Sequence, residues 1–120
     1  MPRFEVLAGR TLVGHSELES GDPPMGVAGG KLLPSPEYAK IQPSVIAARE
    51  STQEHLGLLV RLVGGQELPA QGGVHIIDYS VEPGVEAGLE VEVPGIGYPL
   101  YEELFPGHVE DYKAQFAKEQ

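Results

Sequence analysis

The sequence predicts an α+β protein: a single globular domain over residues 1–120, with a mostly antiparallel β-sheet, a helical middle segment and a C-terminal helix packed on the sheet. Three observations lead to this prediction. The chain has 120 residues, the size of one ordinary domain. Segments with strand-type alternation lie on both sides of a middle segment with helical spacing, and helical spacing returns near the C-terminus. This order of elements favours α+β over a repeated βαβ arrangement.

The N-terminal segment predicts a β-hairpin. Extended runs at residues 3–7 and 11–18 flank a turn at residues 8–10. On the second run, Leu12, Gly14, Ser16 and Leu18 are expected to share one face, and Val13, His15, Glu17 and Glu19 the other. A turn is then expected at residues 20–24, because the prolines there disfavour both helix and ladder pairing. A strand weakened by glycines follows at residues 25–33.

A helix is predicted to begin at residues 34–37. Ser35 can cap it, Pro36 suits the first helical position, and Glu37 interacts favourably with the helix dipole. Pro43 lacks an amide proton, so we expect it to break or kink this helix. A second helical segment would then run from Ser44 to about residue 54.

Three further strands are predicted in the second half of the chain. Residues 56–63 are apolar on both faces apart from Arg61, which favours a central strand. After a loop at residues 66–73, a strand at 74–81 places Asp78 on the same face as two apolar residues, and burial there would raise the pKa of its carboxyl. Residues 89–93 alternate cleanly, so Glu90 and Glu92 should face water.

Aromatic residues concentrate at the C-terminal end of the chain. Val109, Tyr112 and Phe116 recur at helical spacing and predict a helix that begins near Glu110. Packing of this segment on the sheet explains the aromatics better than a binding cluster does. Tyr98 and Tyr101, which lie among prolines and acids, are the aromatics we expect to be exposed.

The negative charge is confined to one half of the chain. The formal net charge is −10, and ten of the eighteen acids lie between residues 62 and 112, where no Lys or Arg occurs. Such an asymmetry affects which partners can approach and how fast they associate. Direct binding of nucleic acid is disfavoured, because most of the surface would repel phosphates.

Composition and motifs exclude several classes of function. The chain has no Cys, so it has neither disulfides nor thiolate-ligated metals. It contains no signal-type N-terminal run and no membrane-spanning apolar run, so we expect a cytoplasmic protein without membrane contact. Residues 26–31 lack the spacing and the hydroxyl of a phosphate-binding loop, and no cofactor is expected. Strand alternation places His75 opposite Asp78 and Ser80, so they do not form a hydrolytic triad.

One catalytic alternative stays open. His15, Glu17 and Asp22 combine an imidazole and carboxylates in a short segment, a set that could hold a metal ion or act as general acid and base. A solvated strand face accounts for the same residues. The sequence therefore assigns no catalytic or metal-binding residue outside this alternative.

The acidic half predicts a binding surface. Carboxylates around exposed tyrosines are typical of a surface that recognises a basic protein, because complementary charge accelerates encounter. The hypothesis is a small non-enzymatic protein that acts in the manner of an inhibitor or immunity protein. Its partner-binding residues would be Glu90, Glu92, Tyr98, Tyr101, Glu102 and Glu103. The remaining alternative is an acidic domain whose charge serves solubility alone.

Overall fold

The structure, a computed structural model, describes residues 3–49, 51–70, 73–80 and 88–118. Its strands are β1 (Phe4–Ala8), β2 (Thr11–Ser16), β3 (Ser20–Asp22), β4 (Val27–Lys31), β5 (Leu33–Pro34), β6 (Leu58–Leu62), β7 (His75–Asp78) and β8 (Leu89–Val93). They form two four-stranded antiparallel sheets with the orders β5-β2-β1-β6 and β3-β4-β8-β7. The helices are α1 (Tyr38–Ala47), α2 (Leu100–Leu104) and α3 (Pro106–Lys118). The predicted fold class is confirmed.

The first sheet contains the predicted hairpin. β1 pairs with β2 across the turn at Gly9 and Arg10, and its other edge pairs with β6. The prediction that residues 56–63 form a central strand is wrong, because β6 is the last strand of its sheet. Its outer side is covered locally: Leu68 N–H donates to Val60 O at 2.7 Å, and Arg61 forms a bridge with Glu67. This cover explains why an edge strand has so few polar residues.

The chain changes sheets at Leu18, which the sequence analysis placed in a continuous strand. Leu18 is fully buried and has a φ of 46°, an unusual value for a residue with a side chain. Ser16 Oγ accepts its N–H at 3.0 Å, and His108 Nε2 donates to its carbonyl at 2.7 Å. β2 therefore ends at Ser16, and the predicted turn at residues 20–24 begins instead with the short strand β3 and continues as a 3₁₀ helix, Pro23–Met25.

The second sheet confirms the alternation predicted for its two C-terminal strands. In β8, Val91 and Val93 are fully buried, whereas Glu90 and Glu92 are exposed. In β7, Ile76 faces the core, and its N–H and C=O both bond to the buried amide of Gln53 at 2.8 and 2.9 Å. Residues 71, 72 and 81 of the predicted loop and strand lie outside the described residues.

The middle helix is a single element. α1 begins after Glu37, close to the predicted start. The Ser35 hydroxyl accepts the Glu37 N–H at 3.3 Å, as predicted for a capping residue, and also donates to Leu12 O at 2.7 Å. Of the predicted break or kink at Pro43, the break does not occur, since Pro43 lies inside α1 and the helix continues to Ala47. The part of the predicted second segment near residue 54 is a separate 3₁₀ turn, Glu54–Leu56.

The C-terminal helix is confirmed, but it begins earlier than predicted, at Pro106, and is preceded by the unpredicted helix α2. Phe105, between the two helices, stacks on Phe4 of the first sheet with ring centroids 5.6 Å apart. The ring centroids of Tyr101 and Phe105 lie 5.2 Å apart. The Tyr101 hydroxyl donates to Val27 O of the second sheet at 2.7 Å. These aromatics join both sheets in one hydrophobic core. In the described ranges, no helix has the length and apolar character needed to cross a membrane.

Candidate functional site: a concave acidic surface

Glu90 and Glu92 project from the outer face of the second sheet, as predicted. Their neighbours on adjacent strands are set by the register: Lys31 and Ile77 lie beside Glu90, and Gly29 and His75 lie beside Glu92. Tyr79 donates its hydroxyl to Glu90 Oε2 at 3.3 Å. Because Val91 and Val93 anchor the strand in the core, the two carboxylates are held on a rigid element.

Of the two tyrosines predicted to bind a partner, Tyr98 and Tyr101, only the first is exposed. Tyr98 is 53% exposed, as predicted, but Tyr101 is fully buried, so the expectation that Tyr101 is exposed is wrong. Its burial raises the pKa of the phenol to about 12, mainly by desolvation. Glu102 and Glu103 follow Tyr101 in the helix and are both exposed. Tyr101 therefore lies beneath the exposed side chains of α2 and presents no surface to solvent.

Three adjoining depressions connect α2 with β8. The first lies between Tyr98 and Tyr112, the second between β3 and α3, and the third on the outer face of β4 and β8. The first and second share Pro23 and Tyr112, and the second and third share Glu19 and Ser20. Neighbouring depressions thus share lining residues, and together they cover one region of the surface, from α2 across the edge strand β3 to β8.

Carboxylates line this surface along its whole length. We call the acids that line it the acidic track: Glu19, Asp22, Glu90, Glu92, Glu102 and Asp111. The lysines among its lining residues are Lys31 and Lys113. All six carboxylates belong to exposed residues. Such an arrangement concentrates negative potential in a groove, which attracts cationic groups.

The track includes some predicted residues and omits others. Glu90, Glu92 and Glu102 line it, whereas Glu103 is exposed but is not among the lining residues. Glu19 and Asp22 were not predicted as partner-binding residues. Their position depends on the pairing of Asp22 with Val27 and on the bond from Lys31 N–H to Glu19 Oε2 at 2.7 Å, neither of which has a clear signal in the sequence.

Two further described acids of the charged half, Glu67 and Asp78, do not line the track. The backbone of Glu67 forms an isolated β-bridge with that of Arg61 beside the first sheet, and Asp78 is buried. Glu82 and Glu86 lie outside the described residues. The excess of acids in the C-terminal half of the chain therefore accounts for only part of the track. Two acids of the track, Glu19 and Asp22, come from the N-terminal half.

Asp78 forms a separate polar cluster beneath α1. Tyr38 Oη and Gln42 Nε2 donate to Asp78 Oδ2 at 2.8 and 3.0 Å, and Ser80 N–H donates to Oδ1 at 2.9 Å. Burial raises the pKa of the carboxyl, but the hydrogen bonds from Ser80, Tyr38 and Gln42 outweigh it and hold the pKa below its ordinary value. The expected raised pKa is therefore wrong, and Asp78 is an ionised tether between β7 and α1. Burial and the Asp78 carboxylate together raise the pKa of Tyr38.

The residues of the catalytic alternative are divided between the two sheets. His15 lies on β2, beside Glu5 and Leu33 of the neighbouring strands, whereas Asp22 lies on β3 of the second sheet. Glu17 follows the end of β2, so the strand face that was expected to align it with His15 does not extend to it. Among the described residues, no group of three or more His, Asp or Glu side chains could hold a metal ion.

An apolar cleft forms the end of the surface nearest α2. Its lining includes Pro23, Pro24, Tyr98, Val109 and Tyr112, with Glu102 and Lys113 at its margin. Met25, at the end of the same 3₁₀ helix, is 69% exposed. Large exposed apolar side chains that lie close together are typical of interaction sites.

Comparisons with known proteins add no further constraint on this site: no protein-family model, curated protein sequence or solved structure matches the chain.

Proposed function

We propose that the protein is a small non-enzymatic binding protein that docks a basic protein partner on the acidic track, in the manner of an inhibitor or immunity protein. The absence of Cys suits action in a reducing compartment such as the cytoplasm. The observation that carries the proposal is that three adjoining depressions are lined by six exposed carboxylates.

The physical basis is electrostatic complementarity. A net charge of −10 on 120 residues repels nucleic acid and other acidic proteins, whereas Lys and Arg side chains are attracted into the concave surface. The carboxylates on β8 and on the helices start from fixed backbone positions, so binding a partner has to order only their side chains on this side. A partner that itself binds nucleic acid would present such a basic surface, and its activity would fall when the surface is covered.

Charge reversal on β8 tests the proposal. The immobilised protein is used to capture partners at low salt, and the affinity of a captured protein is measured by calorimetry from about 50 to about 500 mM NaCl. The double substitution Glu90→Lys and Glu92→Lys should raise Kd at least about tenfold at low salt and flatten its salt dependence. Both side chains are exposed, so the fold should persist.

A matched control separates local from global charge. The substitutions Glu17→Lys and Glu54→Lys change the net charge equally at exposed residues that do not line the track. We expect them to change Kd by less than about threefold. If the Kd of the captured protein changes neither with salt nor with the substitutions Glu90→Lys and Glu92→Lys, the track is not its binding site. If capture yields no salt-sensitive partner, the charge serves solubility.

A further inference from the structure

We infer that the apolar cleft beside Tyr98 receives one apolar side chain of the basic partner, so that the recognised segment combines a Leu- or Phe-type anchor with flanking Lys or Arg residues. This inference rests on the proposed function and specifies the chemistry of the partner. It assigns specificity to the cleft and electrostatic attraction to the acidic track.

The cleft is large enough for a Leu- or Phe-type side chain, and most of its lining is apolar. Its volume is about 360 Å³, near the lower end of the range that ligand pockets occupy. Val109 forms an apolar, mostly buried part of the lining, and Tyr98 and Tyr112 contribute rings that are 53% and 42% exposed. A partner side chain placed here would remove apolar surface of both molecules from water.

The exposed ring of Tyr98 is held in place before any partner binds. Its hydroxyl donates to Pro23 O at 3.2 Å, and its ring lies 5.5 Å from that of the buried Tyr101. The hydroxyl of Tyr101 is in turn fixed on Val27 O. Because the ring is already oriented, an incoming side chain incurs less of the ordering cost that weakens association.

The excess of negative charge around the cleft favours a segment that carries basic residues. Glu102 lies at the margin of the cleft, and Pro23 and Tyr112 also line the adjacent depression that contains Asp22 and Asp111. Three carboxylates thus lie within or next to the anchor site, against the single cation Lys113 in its lining. A second copy of this chain would bring like charges together at a cost, whereas a cationic segment is attracted.

Capped peptides of the type Lys-Lys-Xaa-Lys-Lys test the inference, with Leu, Phe or Ser at the central position. Binding to the intact protein at about 50 mM NaCl is followed by chemical-shift titration of the tyrosine ring signals. We expect the Leu or Phe peptide to bind about tenfold more tightly than the Ser peptide, because only the apolar side chains gain from burial. The Ser peptide measures the electrostatic contribution alone.

Tyr98→Ala should abolish this preference, and Leu33→Ala is the matched control. Leu33 is 52% exposed on β5, outside the cleft, so its removal should leave the tenfold ratio intact. Circular dichroism and urea midpoints confirm that both variants are folded. The Kd of the captured partner should also rise about tenfold in Tyr98→Ala and stay unchanged in Leu33→Ala.

The outcomes separate the two proposals. Equal affinity for the Leu, Phe and Ser peptides overturns the anchor, while a salt-dependent partner that responds to Glu90→Lys and Glu92→Lys leaves the proposed function in place. The absence of peptide binding, together with a partner indifferent to Tyr98→Ala, also overturns the anchor. Sedimentation that shows a dimer lost in Tyr98→Ala would assign the cleft to a second copy and overturn the inference.

Discussion

The two sheets have the same number of strands but differ in how the charges on their strands are arranged. On the first sheet, Glu5 and Arg61 are register neighbours on β1 and β6, and Arg61 Nε donates to Glu5 Oε1 at 2.9 Å. On the second sheet, Glu90 and Glu92 lie two residues apart on one strand, with Lys31 as the cation across from Glu90. The first sheet balances its charges internally, and the second leaves an excess that an external cation can balance. Under the proposed function, the second sheet is therefore the side that would meet a basic partner.

Removal of the Tyr101 side chain, which connects the two sheets, should have the largest effect on the free energy of unfolding. Tyr101→Ala eliminates a fully buried ring, its contact with Phe105 and its hydrogen bond to Val27 O. We expect a loss of about 4 kcal/mol in the free energy of unfolding, as for other buried aromatics replaced by Ala. Urea denaturation followed by circular dichroism measures it.

Tyr98→Ala is the matched control, because Tyr98 is 53% exposed. It should cost less than about 1 kcal/mol. Equal losses in the two variants would contradict the assignment of Tyr101 to support and Tyr98 to contact. Two separate unfolding transitions in either protein would show that the sheets are not joined in one cooperative core.

The next largest effect is expected at Asp78, the buried carboxylate of the second sheet. Asp78→Asn should cost about 2 kcal/mol near neutral pH, because hydrogen bonds to a charged acceptor are replaced by bonds to a neutral amide. The folded-state pKa lies below the ordinary value of 3.8, so this contribution is complete above that pH and is lost as the pH falls through the folded pKa.

Stability measured as a function of pH checks this sign. The unsubstituted protein should lose stability on acidification below about pH 4, and Asp78→Asn should lack that part of the loss. Asp111→Asn, a change of the same type at an exposed residue, should retain it. An equal or greater loss on acidification in Asp78→Asn than in the unsubstituted protein would contradict the ionised tether.

The smallest effect is expected for the ion pair of the first sheet. Arg61→Gln removes a pair in which the Arg61 side chain is 44% exposed, so the cost should stay below about 1 kcal/mol and shrink as salt is added. Thermal unfolding at low and high salt measures it. A loss larger than that in Asp78→Asn would reverse the comparison between the two sheets.

Much of the fold was predictable where side-chain periodicity is strong. Alternation in residues 89–93 identified the strand β8 and the orientation of Glu90 and Glu92, and the hairpin around Gly9 followed from two extended runs. The C-terminal helix was found from Val109 and Tyr112. In each case a local pattern coincides with burial against one core.

The rest depended on contacts between distant residues. Leu18 takes a positive φ, stabilised by His108, 90 residues away, and this turn moves Asp22 onto the second sheet. Tyr101 looks exposed in sequence because acids and prolines surround it, yet Gly21 leaves room for its hydroxyl beside β3. Neither contact has a local signature, so the acidic track could be predicted only in part.

The side chain of Gln53 affects whether other chains can pair with the edge strand β7 in a concentrated protein solution. β7 is a terminal strand of its sheet, and the open edge of such a strand is a template on which other chains can add and aggregate. The primary amide of Gln53 imitates a neighbouring peptide unit, since it both donates to and accepts from Ile76. An incoming strand would have to displace it at this residue, so one buried side chain protects the margin of the sheet from amyloid-type extension.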